Sequence, residues 1–234
     1  KGGVNTDTGA ANELELTAPA GYSVINPLTT LVEEIQSSSD EDISLEQAES
    51  QVLLALGINL SEGEDLSSYD PLSDVSESAL ENRIVTTQIA TVLAVASASA
   101  SADQADDAVD AEAVALSNLA EVVTTSEEPV VLTSDVVGEV LKDESGASLL
   151  AAEQLDDLKE SVEAMQEAES IEAVVQEQAK AIDRIAPTGW RCRDHPRHGA
   201  GRDGLDFYQG RGYTCHWGRR LLLCFRRCPP SRQG

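Results

Sequence analysis

The chain has 234 residues, with 42 Asp and Glu against 16 Lys and Arg, for a formal net charge of −26. Such acidity opposes contact with nucleic acid and with anionic membrane surfaces, and no apolar run reaches the roughly 18 residues that would mark a membrane span. The charge is split: residues 1–186 hold six Lys/Arg against 39 Asp/Glu, a net of −33, and residues 187–234 hold ten Arg against three Asp, a net of +7. All four Cys, all three His, both Trp and both Phe lie beyond residue 186. The acidic body must therefore build an aliphatic core, with Tyr22 and Tyr69 as its only aromatics. Nearly every side chain suited to nucleophilic or metal chemistry sits in the tail.

Lys1-Gly2-Gly3 is neither an initiator nor a leader, so the chain reads as an excised fragment whose export signal would lie upstream. A body without cysteine is compatible with export from a bacterium. Residues 1–22 are rich in Gly, Thr and Asn, with a brief alternation at Glu13-Leu14-Glu15-Leu16. That pattern predicts turn, short strand, turn, as at the trailing end of a β domain. The first helix is expected to open with Asn26 as N-cap and Pro27 at the first helical position, where a missing N–H costs nothing. Leu28, Leu31, Val32 and Ile35 fall on one face, and Gln36-Ser37-Ser38-Ser39-Asp40 ends it.

Ser44 and Gln47 have capping-box spacing and predict a second helix carrying Leu45, Ala48, Val52, Leu53 and Leu56 inward and stopping at Gly57. A loop over residues 59–71 leads to a third helix over residues 76–99, buried along Leu80, Ile84, Val85, Ile89, Val92, Leu93 and Ala96. The alternating Ala and Ser of residues 94–102 reads as helix, because Ala is the best helix former. Helical period continues over residues 104–124 through Val109, Ala113, Leu116, Leu119, Ala120 and Val123. Pro129 breaks the chain. Ser134 then caps a short helix holding Val136, Val137, Val140 and Leu141, closed by Gly146. One long last helix is expected over residues 147–185, along Leu155, Leu158, Val162, Met165, Ala168, Ile171, Val175, Ala179 and Ile182, with a slip near Ala168. The fold class is mainly α: an irregular multi-helix bundle over residues 23–186, a short β-like segment at residues 1–22, and a disordered tail at residues 187–234.

The tail imitates three sites. Gly199, Gly201 and Gly204 match the spacing of a dinucleotide fingerprint, but neither a strand nor a helix pattern flanks them to carry it. Cys192, His195, His198, Cys215, His216, Cys224 and Cys228 contain two pairs with zinc-like spacing, Cys192/His195 and Cys224/Cys228, in a segment with little apolar periodicity to fold around a metal. Arg219, Arg220, Arg226 and Arg227 beside Trp217 and Phe225 resemble a stacking nucleic-acid patch, which the body's charge would oppose. A GC-rich coding strand read out of frame yields the same Arg, Gly, Cys, His and Trp excess. The tail is read as frame-shifted or otherwise non-native. In the body, Asp40-Glu41-Asp42 and Asp103, Asp106, Asp107 and Asp110 raise the question of calcium. None lies in the tight oxygen-rich loop that calcium requires; Asp7, in a Gly/Thr-rich turn, is the nearest candidate. No catalytic, cofactor or metal residue is assigned, and the chain is not expected to be an enzyme.

Leu16-Thr17-Ala18-Pro19-Ala20-Gly21, Ile25-Asn26-Pro27-Leu28-Thr29-Thr30-Leu31-Val32, Ala55-Leu56-Gly57, Asp65-Leu66 and Tyr69-Asp70-Pro71-Leu72 together resemble a helical module of giant secreted surface adhesins and hemolysin-type calcium-binding proteins of Gram-negative bacteria and cyanobacteria. In that family a β-rich segment ends in a G-x-D-x-D-T-G stretch; here Asn5 stands where the first Asp is common. The motifs cover residues 3–72, the acidic region to residue 186 agrees in character only, and the tail does not agree. The resemblance brings no catalytic residue and no calcium ligand. It implies a non-enzymatic structural or interaction module of a large secreted or cell-surface bacterial protein, serving adhesion. Its expected partners are neighbouring domains of the parent and a cell-surface or matrix ligand, without nucleic acid or membrane insertion. The alternative is a small soluble binding protein whose Cys/His/Arg-rich tail takes zinc or nucleic acid.

Overall fold

A computed structural model describes residues 14–38, 43–102, 110–126, 129–185, 213–217 and 220–224. The chain divides into two units, residues 1–186 and 187–234, at the point where its composition changes. The first unit is mainly helical, with α1 (Pro27–Ser38), α2 (Leu45–Leu56), α3 (Ala79–Ala102), α4 (Ala111–Thr125), α5 (Ser134–Val140), α6 (Ala152–Gln166) and α7 (Ile171–Ile185). The described part of the second unit is an antiparallel pair, β1 (Tyr213–Trp217) and β2 (Arg220–Cys224), with Tyr213 opposite Cys224 and Trp217 opposite Arg220. The tail's expected disorder otherwise concerns residues outside those described, and the hairpin was not foreseen.

The first two helices start and stop where their caps demand. Asn26 Oδ1 accepts from Leu28 N at 2.9 Å and Thr29 N at 3.0 Å. Ser44 and Gln47 exchange backbone-to-side-chain bonds at 3.3 and 3.0 Å, and Gly57 closes α2 at φ 63°, where a Cβ would be strained. Leu28, Leu31, Val32, Ile35, Ala48, Val52 and Leu56 are buried together. α3 is the axle of the bundle, packed against α1, α4, α6 and α7. Burial on several sides reaches its polar residues: Thr86, Thr87, Gln88 and Thr91 are buried. Thr86 and Thr91 satisfy their hydroxyls on the carbonyls four residues back, at 2.8 and 2.7 Å. The Ala/Ser stretch stays helical to Ala102, as its propensity requires.

Four expectations change. Residues 1–13 lie outside those described, and the chain from Leu14 to Ala18 is neither helix nor strand. α4 begins afresh at Asp110, whose carboxylate accepts from Ala113 N at 3.2 Å. Its buried residues are Ala111, Ala115, Leu119, Ala120 and Val123, so Leu119, Ala120 and Val123 face inward as expected while Ala113 faces out. Thr133, not Ser134, caps α5. The long last helix is two: α6 ends at Gln166, Ser170 Oγ accepts from Ala173 N at 3.2 Å, and α7 turns back along α6. The break resets the phase, so α7 buries Val174, Gln178 and Ala181 and leaves Ile171 exposed. Arg184 of α7 reaches Glu160 of α6 at 3.3 Å, as an antiparallel pair allows. Ile84, Met165 and Val174 form a second, smaller apolar cluster.

Candidate functional site

The loop between α2 and α3 is dense in Ser, Asp and Asn, residues whose side chains bond their own backbone and stabilise turns. It folds into a shallow cleft of about 270 Å³ lined by Ser61, Glu64, Ser68, Tyr69, Asp70, Ser73, Asp74, Val75 and Ser76. At its floor is a polar junction. Asn82, in the first turn of α3 and buried, donates to Asn59 O at 2.8 Å and to Asp74 Oδ2 at 3.2 Å, and accepts from Asn59 N at 3.1 Å. Tyr69 donates its phenol to Asp74 Oδ2 at 2.8 Å, and Ser76 N donates to Asp74 Oδ1 at 2.8 Å. Ser78 adds a second donor to Asn59 O at 2.9 Å.

These bonds fix the acidity of the cleft. Burial of the Asp74 carboxyl works against ionisation, but the amide and hydroxyl of Ser76, the Tyr69 phenol and the Asn82 amide outweigh it and hold the group at about 2. Burial, then the bond to Asp74, pushes the Tyr69 phenol well above its usual value. The Ser67 hydroxyl, at 2.5 Å, and then the Ser68 hydroxyl, against the opposing effect of desolvation, lower Asp65. A carboxylate held this low is a poor general base, because proton abstraction near neutrality wants a group that titrates near neutrality. Asp74 is thus unsuited to activating the serines of the cleft as a base.

A second set of contacts fastens residues 14–25 to the bundle. Glu15 N donates to the Glu112 carboxylate of α4 at 2.8 Å, and Thr17 N to Thr30 Oγ1 of α1 at 3.0 Å. Thr30 Oγ1 donates back to Thr17 O at 2.9 Å. Tyr22 donates its phenol to Glu49 of α2. Burial first, then this bond and the Glu49 charge, pushes that phenol well above its usual value. Ser23 gives both N and Oγ to Ser67 O, at 2.8 and 2.9 Å, and Asn26 Nδ2 donates to Tyr69 O at 3.0 Å.

Of the residues singled out from sequence, Asp7, Asp40, Glu41, Asp42, Asp103, Asp106 and Asp107 lie outside those described. So do Cys192, His195, His198, Gly199, Gly201, Gly204, Arg219, Phe225, Arg226, Arg227 and Cys228. Asp110 is a helix cap, as described above. Cys215, His216 and Trp217 fall in β1, and Arg220 and Cys224 in β2, with Cys215 opposite Leu222 and His216 opposite Leu221. Among the described residues no three His, Cys, Asp or Glu side chains are grouped to hold a metal ion, and no helix is long and apolar enough to cross a membrane. Sequence reading missed the Asn59, Asp74 and Asn82 junction. Its one signal was an amide, Asn82, at the start of a helix otherwise read for its apolar stripe. Comparison with protein-family models, with curated proteins and with solved structures gives no match.

Proposed function

We propose that this chain is a non-enzymatic joint or spacer module of a large secreted or cell-surface bacterial protein that serves adhesion, with the neighbouring domains of that parent as its first partners. One observation carries the reading: three of the sequence stretches on which the resemblance to surface adhesins rests meet in space. Thr17 of the first stretch is bonded to Thr29 and Thr30 of the second, and Asn26 of the second is bonded to Tyr69 of the last. Separated by up to 43 residues in sequence, they fasten the incoming chain to the helices that follow. A module between other domains needs such a fastening, because tension entering along the backbone has to pass into a packed body.

The remaining features agree with that role. The core is aliphatic apart from Tyr69 and is shared by α1 to α6, and Asp65, Asp70, Asp74, Asp110 and Asp143 bond turns or helix starts. A calcium requirement is not part of the proposal. Single-molecule pulling tests it, with handles on peptide tags fused to the two ends of the full chain. A joint gives discrete ruptures at reproducible contour lengths. Smooth extension like that of an unfolded chain would remove the reading.

A further inference from the structure

We propose that residues 14–25 form a detachable strap, which leaves the bundle while the helices beneath it stay folded, and that the bond from Tyr22 to Glu49 is its catch. Its service as a load-responsive part rests on the joint reading above; its opening does not, and can be measured without load.

The strap has neither helix nor sheet ladder to hold it. A backbone-to-backbone bond from Ser23 N to Ser67 O ties it to the loop between α2 and α3. Ser23 Oγ donates to the same Ser67 carbonyl, and further ties among the described residues end on side chains of Glu112, Thr29, Thr30 and Glu49. Each can let go by a rotamer change, without breaking a helical turn. Its apolar hold is also lighter. Pro19 is buried, but Leu14, Leu16, Tyr22 and Val24 are only partly so, whereas Leu28, Leu31, Val32 and Ile35 of α1 are exposed by 1 % or less. Segments with few buried apolar contacts and side-chain-terminated bonds open at lower free energy than the core.

The structure also sets where release stops. The start of α1 does not depend on the strap, because Asn26 Oδ1 serves Leu28 N and Thr29 N, and Asn26 N has Thr29 Oγ1 at 2.9 Å. Asn26 Nδ2 stays anchored to Tyr69 O. With the strap gone, α1 keeps its cap and the loop keeps its tie. Just before that anchor the chain turns at residues 19–22, with Gly21 at φ 99°, a conformation that suits a pivot without a Cβ. Tyr22, next to the pivot, joins the strap to α2 and carries its one aromatic ring, so its phenol is the contact whose loss should free the segment.

Hydrogen exchange on the full chain decides. Thr17 and Ser23 amides are expected to show protection at least tenfold lower than the interior amides of α1. Tyr22→Phe should lower strap protection a further threefold or more and leave α1 unchanged. Glu49→Gln, which keeps an acceptor, should fall between. Strap and α1 exchanging at one common rate would overturn the proposal, as would Tyr22→Phe exposing both together. A Tyr22→Phe chain with unaltered strap exchange would overturn the catch. The two ideas fail separately: discrete ruptures with a strap as protected as α1 keep the joint and remove the strap, and smooth extension with early strap exchange does the reverse.

Discussion

Replacing Asn82 by Ala removes the centre of the junction beneath the cleft, and its cost follows from the bonds lost. The contact from Nδ2 to Asp74 joins an amide to a carboxylate, a class worth about 1.5–3 kcal/mol, and the pair exchanged with Asn59 are neutral, at about 1 kcal/mol each. Some of this is recovered. Asn59 O keeps the Ser78 hydroxyl, and Asp74 keeps Tyr69 and Ser76, so Asn59 N–H is the group stranded. Alanine is also a better helix former than asparagine, by about 0.5 kcal/mol. The net loss should be about 2–3 kcal/mol. With a urea slope of about 2 kcal/mol per molar, the unfolding midpoint falls by about 1 M with the slope unchanged. Ser78→Ala, which removes a redundant donor to Asn59 O, should cost under about 0.5 kcal/mol. A midpoint for Asn82→Ala within about 0.2 M of the parent would show that water replaces the amide at no cost and that the junction does not hold the loop to α3.

Asp74 gives a pH signature. Its folded value, about 2, lies below the ordinary 3.8, so its stabilising effect is complete above about pH 4 and is lost as pH falls through about 2; Asp74→Asn should flatten the acid limb of the stability profile in that window, and an unchanged limb would refute the assignment. Two glycines should answer alanine with opposite signs. Gly57→Ala, at φ 63° with open space around it, should destabilise by about 1 kcal/mol, while Gly138→Ala, in α5 with Lys159 Nζ the nearest atom at 3.3 Å, should stabilise by about 0.5 kcal/mol once the lysine tip swings aside; thermal melts giving one sign for both would contradict the backbone argument. Millimolar calcium should raise the melting temperature about as much as magnesium does, since diffuse carboxylates attract both. One saturable site lost on Asp7→Ala, seen by calorimetry, would show otherwise.

Most helix boundaries were legible because capping is local chemistry. Asn26-Pro27, Ser44 with Gln47, and Gly57 each announce an end within four residues of themselves. The split between α6 and α7 was not legible for a related reason. Glu167, Ala168 and Glu169 are all good helix formers, and a turn that resets the phase by one residue leaves the same trace in apolar spacing as a slip inside one helix. Ser170 was the only hint, and a serine in an exposed helical stretch is unremarkable. The cleft was legible as a loop and no further. That Asn82 would bind both the main chain of Asn59 and the carboxylate of Asp74 depends on how the loop closes, over 23 and eight residues, and no local pattern records it. The strap contacts lay between the two extremes: their residues stood out as motifs, but which threonine met which carbonyl took three dimensions to see.

The described ion pairs have a consequence for the medium in which this body is firm. Lys142 with Glu139, Lys180 with Glu177, and Arg184 with Asp157 and Glu160 lie at the surface, Glu177 alone being half-buried, so each contributes little. Six cations cannot in any arrangement balance the 39 carboxylates of residues 1–186. Surface electrostatics here is therefore mainly repulsion, and screening it relieves the fold. In an ordinary protein added sodium chloride weakens surface pairs; in this one it should stiffen the body as the Debye length shrinks from about 30 Å in dilute buffer to below about 8 Å in brine. The bundle would then soften in fresh water and tighten in the sea.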